Sequence, residues 1–249
     1  MAVKVAINGL GRIGRAAFKV ILETPELELV AVNDIGSLEN MVYLLKYDTV
    51  YGRYERSVEA RDGKIAVDGH EIAYVSEKDP TKLPWGAMGV ELVFECTGIF
   101  TKQEDAGKHI TAGATWVIIS GPTSSENVPT VVHGVNTPGK EAFILSCASC
   151  TTNDIAPLME VMHRRFGVVK AIMTTVHAYT ATQMLVDGPG GKKDMRRGRA
   201  AAANFVPSST GAATAATKAL PELEGKFDGI SIRGPVPVGS VADVVMLLE

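Results

Sequence analysis

The chain has 249 residues, a formal net charge of −3, 46% hydrophobic and 21% charged residues, a make-up that suits one large domain or two ordinary ones with a sizeable core. That charge gives no reason to expect nucleic acid or a membrane surface as partner, no apolar run reaches the roughly 18 residues of a membrane span, and Met1–Gly9 lacks the order of a signal peptide. Three cysteines argue against a disulfide framework and for a reducing compartment, so the expectation is a soluble, cytoplasmic protein.

Val3–Ile7 is a β-branched run followed by Asn8-Gly9-Leu10-Gly11-Arg12-Ile13-Gly14. This is G-x-G-x-x-G after a strand, and Arg12–Leu22 reads as the following helix with Ile13, Ala17, Val20 and Ile21 on one side. Gly9 permits the tight turn, Gly11 lets the backbone approach a pyrophosphate, and Gly14 lets helix and strand pack closely. Alone, that spacing arises by chance. Here a second strand, Leu29–Val32, ends in Asn33-Asp34 about twenty residues on, where a carboxylate receives the adenosine ribose hydroxyls. Asp34 would otherwise be a turn or cap residue beside Gly36 and Ser37. Taken with the glycines it points to a dinucleotide, and its charge repels a 2′-phosphate, favouring NAD over NADP.

Leu38–Lys46 reads as a helix. Ser57–Val75 alternates around Asp62-Gly63 and Asp68-Gly69, two type I′ hairpin signals, and reads as an antiparallel insert. Parallel-type runs resume at Val90–Glu95, Trp116–Ser120, Val131–Val135 and Phe143–Ser146, with a crossover helix over Glu104–Ile110. Thr97-Gly98 and Ser120-Gly121-Pro122 follow strand ends, where ligands of open parallel sheets bind, although alone they are ordinary turn chemistry.

Phe143–Ser146 leads into Cys147-Ala148-Ser149-Cys150-Thr151-Thr152-Asn153, and Leu158–Phe166 continues at helical spacing. Cys150 therefore stands where a strand turns into a helix, and the unpaired N–H groups and dipole there favour an anionic sulfur. A small buried hydrophobe would also fit the local pattern. Of five histidines, His70 sits on the insert and His163 on a surface helix, both read as solvated; His109 and His133 stay open. His177 ends the β-rich run Val168–Val176 beside threonines, and an imidazole there can take and return the thiol proton.

Cys147 and Cys150 form a C-x-x-C, so thiol–disulfide exchange and oxidative pairing are alternatives, while a four-cysteine zinc site is excluded by the count. Asp187–Arg199 is a glycine-rich basic loop with Lys192, Lys193, Arg196, Arg197 and Arg199; these, with Thr180, Thr182, Thr210 and Arg233, offer donors for phosphate groups or a solvated or subunit-contact surface. Ser208–Thr210 can cap a helix over Ala212–Leu220, and Ile230–Arg233 and Val241–Leu248 are strands. Val244–Glu249 stops as an apolar, buried-type strand without a turn or cap, so the chain reads as a piece of something longer.

In order along the chain, Asn8-Gly9-Leu10-Gly11-Arg12-Ile13-Gly14-Arg15, Asn33-Asp34, Glu95-Cys96-Thr97-Gly98, Ser149-Cys150-Thr151-Thr152-Asn153, His177-Ala178-Tyr179-Thr180, Ser209-Thr210-Gly211-Ala212-Ala213 and Arg233 resemble the phosphorylating glyceraldehyde-3-phosphate dehydrogenase family over the entire length. The resemblance implies an α/β protein with an N-terminal Rossmann-type, mostly parallel sheet in residues 1–149 and an incomplete α+β catalytic domain in residues 150–249. It implies a cytoplasmic, NAD-dependent glycolytic enzyme, a homotetramer when full length, acting on glyceraldehyde 3-phosphate and inorganic phosphate without membrane or nucleic acid. Cys150 would be the nucleophile and His177 its base. Asn8, Gly9, Gly11, Arg12, Ile13, Asp34, Lys78, Thr97, Gly98 and Ser120 would hold the cofactor. Thr180, Thr182 and Arg233 would hold the substrate phosphate, Ser149, Thr151, Thr210 and Gly211 the attacking phosphate, with Arg196 near both. No metal is implied. Erythrose-4-phosphate dehydrogenase, which shares the cysteine motif, and a non-catalytic nucleotide-binding fragment are the alternatives.

The chain departs from the family at Cys147, usually asparagine, at Asp154, usually a second cysteine, and at Gly234 and Val238-Gly239. It also lacks the family's final quarter, which completes the catalytic sheet, contacts the nicotinamide amide and packs a helix on the Rossmann domain. Little turnover is expected from this length of chain alone.

Overall fold

The computed structural model describes residues 2–139, 141–190 and 194–249. The chain divides into two compact units, Met1–Val131 with Pro138–Ala148, and Val132–Thr137 with Ser149–Glu249.

The first unit begins with β1 (Val3–Asn8), α1 (Arg12–Ile21), β2 (Leu27–Asn33), α2 (Leu38–Lys46) and the small ladder β3 (Tyr47–Asp48) with β4 (Gly52–Arg53). It continues with β5 (Val58–Arg61), β6 (Lys64–Val67), β7 (His70–Val75), α3 (Trp85–Met88), β8 (Leu92–Glu95), α4 (Gln103–Thr111), β9 (Trp116–Ile119) and β10 (Ile144–Ser146). Eight of these strands form one sheet in the order β10-β9-β8-β1-β2-β7-β6-β5. Strands β10 to β7 run parallel, and β6 and β5 return antiparallel through two tight turns. Asp62 and Gly63, at φ 49° and 75°, and Asp68 and Gly69, at φ 49° and 85°, adopt the left-handed geometry that the Asp-Gly pairs announce. The hairpins are thus an extension of the main sheet, because β7 pairs in parallel with β2.

Two expectations are corrected here. Helix α1 buries Gly14, Phe18 and Ile21, while Ile13 and Val20 face outward. The apolar stripe is set by contact with the sheet, so it runs through the glycine that permits close approach rather than through Ile13. The run Val131–Val135 forms no strand: Thr130 makes a single bridge to Ser146, and His133-Gly134-Val135 turns, with the Val135 N–H donating to the Val132 carbonyl and Gly134 at φ 79°.

The second unit contains α5 (Cys150–Phe166), β11 (Val168–Ala178), β12 (Val206–Ser208), α6 (Ala212–Ala219), β13 (Phe227–Gly234) and β14 (Ser240–Leu248). Its sheet has the order β12-β13-β11-β14, with β13 parallel and β14 antiparallel to β11. Met173, Thr175, Phe227 and Ser231 are buried on one face, and helices α5 and α6 pack on the sheet and on each other. The other face carries exposed Ile172, Val176, Ile230, Val241 and Val245. Strand β14 is consequently not the buried strand its composition implies: it is an edge, and its residues alternate between exposed and half-buried.

Candidate active site

In the first unit the strand ends of β1, β2 and β8 open into a cleft of about 470 Å³. It is lined in part by Asn8, Gly9, Gly11, Asp34, Lys78 and Thr97. A side chain at Gly9, which sits at φ 93°, would meet the Thr97 backbone nitrogen at 2.8 Å, and one at Gly14 would meet the Gly9 carbonyl oxygen at 1.9 Å. A Cβ at Gly11 would meet nothing within 4 Å. Gly9 and Gly14 are therefore small so that the chain can close on itself, whereas Gly11 leaves open space at the start of α1. No side chain caps that helix start, so its N–H groups are available to an anion such as a pyrophosphate.

Asp34 follows β2. Its Oδ2 accepts the Leu10 N–H at 2.7 Å and its Oδ1 the Gly36 N–H at 2.8 Å, which fixes the carboxylate at the rim with lone pairs to spare for vicinal hydroxyls. The Tyr74 hydroxyl donates to the carbonyls of Asp34 and Gly36, the latter at 2.7 Å. Burial, helped by Asp34 and Glu39, pushes that phenol up to about 12. The dinucleotide chemistry expected of the glycine motif fits this cleft.

Four residues of the sequence-derived cofactor set, Arg12, Ile13, Gly98 and Ser120, do not line the cleft. Arg12 pairs with Asp48 and lies over the Tyr51 ring, and Ile13 points to solvent. Conversely Asn33, Ile35, Glu77, Ile99 and Phe100 line it without having been singled out as contacts. Asn33 was visible as the neighbour of Asp34; the others sit on loops whose convergence no local pattern records.

In the second unit Cys150 is the first residue of α5. Ser149 caps the helix, its Oγ accepting the Thr152 N–H at 3.1 Å and lying 2.8 Å from Thr152 Oγ1. The exposed Cys150 Sγ is 3.3 Å from Nε2 of His177, near the end of β11. His177 is register-paired with Arg233 of β13. The other ring nitrogen, Nδ1, lies 2.7 Å from the Ala178 carbonyl oxygen and 2.6 Å from Arg233 Nη1, which also donates to that carbonyl at 3.0 Å. Burial and the nearby Arg197 lower the Arg233 pKa, and the Cys150 sulfur raises it. The arrangement can move a thiol proton and presents a half-buried guanidinium beside it.

Of the phosphate candidates, Thr180 and Thr182 share a hydroxyl contact of 2.9 Å just past β11. Thr210 Oγ1 accepts the Ala212 N–H at 3.1 Å, and Gly211 is the residue before α6. Thr151 is buried in the first turn of α5. Arg196 is exposed and paired with Asp194 at 2.8 Å, whereas Arg197 donates to Ser208 Oγ at 3.0 Å and acts electrostatically on Arg233. Arg197 is among the basic residues of the loop offered as phosphate donors, but the family resemblance singles out Arg196 instead. Lys192 and Lys193 lie outside the described residues.

The other histidines separate by burial. His70 and His133 are exposed. His163 is half-buried, not solvated, and its Nδ1 accepts the Val168 N–H at 3.0 Å at the end of α5. His109 is fully buried beside Glu95 and Trp85. Cys96 is pushed up to about 11, mainly by burial, and desolvation also raises Cys147. Among the described residues no cluster of His, Cys, Asp and Glu could hold a metal ion, and no helix is long and apolar enough to cross a membrane.

Comparison with known proteins bears on both units. Residues 3–103 match the model of the glyceraldehyde 3-phosphate dehydrogenase NAD binding domain, and residues 149–249 that of the glyceraldehyde 3-phosphate dehydrogenase C-terminal domain. The chain is 48% identical to the glyceraldehyde-3-phosphate dehydrogenase of Clostridium pasteurianum over 99% of its own length and 74% of the relative's. It is 49% identical to that of Geobacillus stearothermophilus over 100% and 74%, and 50% identical to that of Salmonella typhimurium over 100% and 75%.

Proposed function

The chain belongs to the glyceraldehyde-3-phosphate dehydrogenase family, and from that membership we infer an NAD-dependent oxidoreductase that converts glyceraldehyde 3-phosphate and inorganic phosphate to the acyl phosphate in glycolysis. The observation that supports the assignment of roles is the 3.3 Å approach of Cys150 Sγ to His177 Nε2 at a helix start.

When the Nδ1–H of His177 is given to the Ala178 carbonyl, the Nε2 lone pair faces the thiol and takes its proton. The sulfur then bonds to the aldehyde carbon, the carbonyl electron pair moves to oxygen, and His177 returns its proton to that oxygen, giving a hemithioacetal and a neutral imidazole. NAD, when bound, supplies the hydride acceptor that turns this adduct into a thioester. His177 receives the hydroxyl proton as the hydride departs. A phosphate oxygen next attacks the thioester carbon, the C–S bond breaks, and Cys150 leaves as thiolate.

The glycine turn, Asn8, Asp34, Lys78 and Thr97 are assigned to NAD, because they line the cleft; Arg12, Ile13, Gly98 and Ser120 stay assigned by family resemblance alone. Arg233 with Thr180 and Thr182 is assigned to the substrate phosphate, and Ser149, Thr151, Thr210 and Gly211 to the attacking phosphate, with Arg196 assigned near both by family resemblance alone. The exposed apolar face of the second sheet supports a homo-oligomer, a tetramer by family resemblance. Residues 1–149 and 150–249 remain the proposed functional halves, in a cytoplasmic enzyme.

Trapping the thioester tests the assignment. With NAD and glyceraldehyde 3-phosphate but no phosphate, mass mapping is expected to find the acyl group on Cys150, and added phosphate to clear it. An unmodified Cys150 would overturn the role of nucleophile. Clearance by water as fast as by phosphate would favour an erythrose-4-phosphate-type dehydrogenase.

A further inference from the structure

The first unit buries a carboxylate and an imidazole that the reaction does not use. Glu95 and His109 are 1% and 0% exposed, and neither lines the cofactor cleft. Their hydrogen bonds have only one possible direction. The Trp85 indole can only donate, and it does so to His109 Nδ1 at 3.0 Å. The hydrogen of the neutral ring therefore sits on Nε2 and is donated to Glu95 Oε2 at 3.0 Å. The same oxygen accepts Asn8 Nδ2–H at 2.6 Å. Asn8 Oδ1 accepts Asn33 Nδ2–H at 2.7 Å, and Asn33 Oδ1 accepts the Glu77 N–H at 2.9 Å. The second Glu95 oxygen accepts the Thr97 N–H at 2.7 Å and the Thr97 hydroxyl, which in turn accepts the Ile99 N–H at 3.0 Å.

Asn8, Asn33, Glu77, Thr97 and Ile99 all line the cleft. We propose that Glu95, oriented from behind by His109 and Trp85, is a positioning residue for NAD: one buried carboxylate sets the facing of two cleft loops it does not belong to, residues 77–78 through Asn8 and Asn33, and residues 97–99 through Thr97. The role needs a carboxylate, because all four of its partners donate. A glutamine amide at this position would set its nitrogen against two donors, His109 Nε2–H and Asn8 Nδ2–H on one side or the Thr97 N–H and hydroxyl on the other. His109 cannot change tautomer to relieve it, since Trp85 occupies Nδ1. An Asn8 flip would only pass the mismatch to Asn33, and an Asn33 flip to the Glu77 N–H at the cleft wall.

The test measures NAD affinity and melting temperature together on the full chain. Glu95→Gln is expected to weaken NAD binding about tenfold, the effect of one unpaired buried group passed to the cleft. Val93→Ala, two residues away on the same face of β8 and outside the network, lowers the melting temperature and is expected to leave NAD affinity within about twofold. His109→Gln can give an amide N–H to Glu95 and an oxygen to Trp85, and should hold affinity within about threefold, whereas His109→Phe should lose about tenfold. An unchanged affinity in Glu95→Gln, or an equal loss in Val93→Ala, overturns the proposal. If Glu95→Gln does not fold, the two His109 variants decide: equal NAD affinities overturn the proposal, and the stated difference supports it.

Discussion

Cys96 and Cys150 carry the same side chain in opposite settings. Cys96 is half-buried at the end of β8 and pushed up to about 11, while Cys150 is exposed at a helix start against an imidazole. Iodoacetamide at neutral pH is therefore expected to alkylate Cys150 well before Cys96, which peptide mapping would show; equal rates would remove Cys150 as an activated nucleophile. The buried thiol also has a consequence for stability. The unfolded state releases this proton near the ordinary value of 9.0 and the folded state only near about 11, so stability should fall as pH rises through that window. Thermal melts between pH 9 and 11 should show a shallower decline in Cys96→Ala than in the parent. At this scale the sequence was partly legible. Cys150 and His177 announce themselves by what precedes and follows them, but Glu95 and His109, fourteen positions apart and meaningful only through Asn8 and Trp85, do not.

Helix α1 and the turn before it show what can be read from an element and what cannot. The glycine spacing correctly called for a strand, a tight turn and a helix, because each glycine answers a local backbone demand. The buried side of α1 was misread, since contact with the sheet selects the stripe and Ile13 is as apolar as Phe18. The same limit explains Val131–Val135, whose β-branched composition is overridden by a turn at His133-Gly134. The two helix-end glycines should separate cleanly by substitution. Gly14→Ala drives a methyl to 1.9 Å from the Gly9 carbonyl oxygen and should destabilise the fold by about 2–3 kcal/mol or more, the scale of overpacking. Gly11→Ala meets no protein atom, so its melting temperature should hardly change, while NAD affinity falls because the methyl occupies the pyrophosphate's approach. Calorimetry on the two variants checks both halves of this prediction.

For the whole molecule, the alternation of strands and helices followed by a change of texture near Cys150 was enough to foresee an α/β unit and a second sheet-containing unit. What stayed hidden was which sheet faces are covered. Period and composition made β14 look like an interior strand, yet Val241, Val245 and Leu247 are 70%, 63% and 60% exposed. An apolar sheet face of this kind favours contact with another surface. Val245→Lys on that face is expected to shift the protein towards monomer in analytical ultracentrifugation without altering NAD binding. Unchanged association would place the contact elsewhere.

The hairpins at the sheet edge bear on cofactor choice. Because Tyr74 of β7 clamps the backbone on either side of Ile35, the carboxylate of Asp34, to which we assign the choice between dinucleotides, is anchored by a strand that the hairpins hold in register. Ornament at the margin of the sheet thereby becomes a buttress for selectivity: lengthening or cutting these turns would act at a distance, blurring the preference for an unphosphorylated ribose before it disturbed the glycine turn.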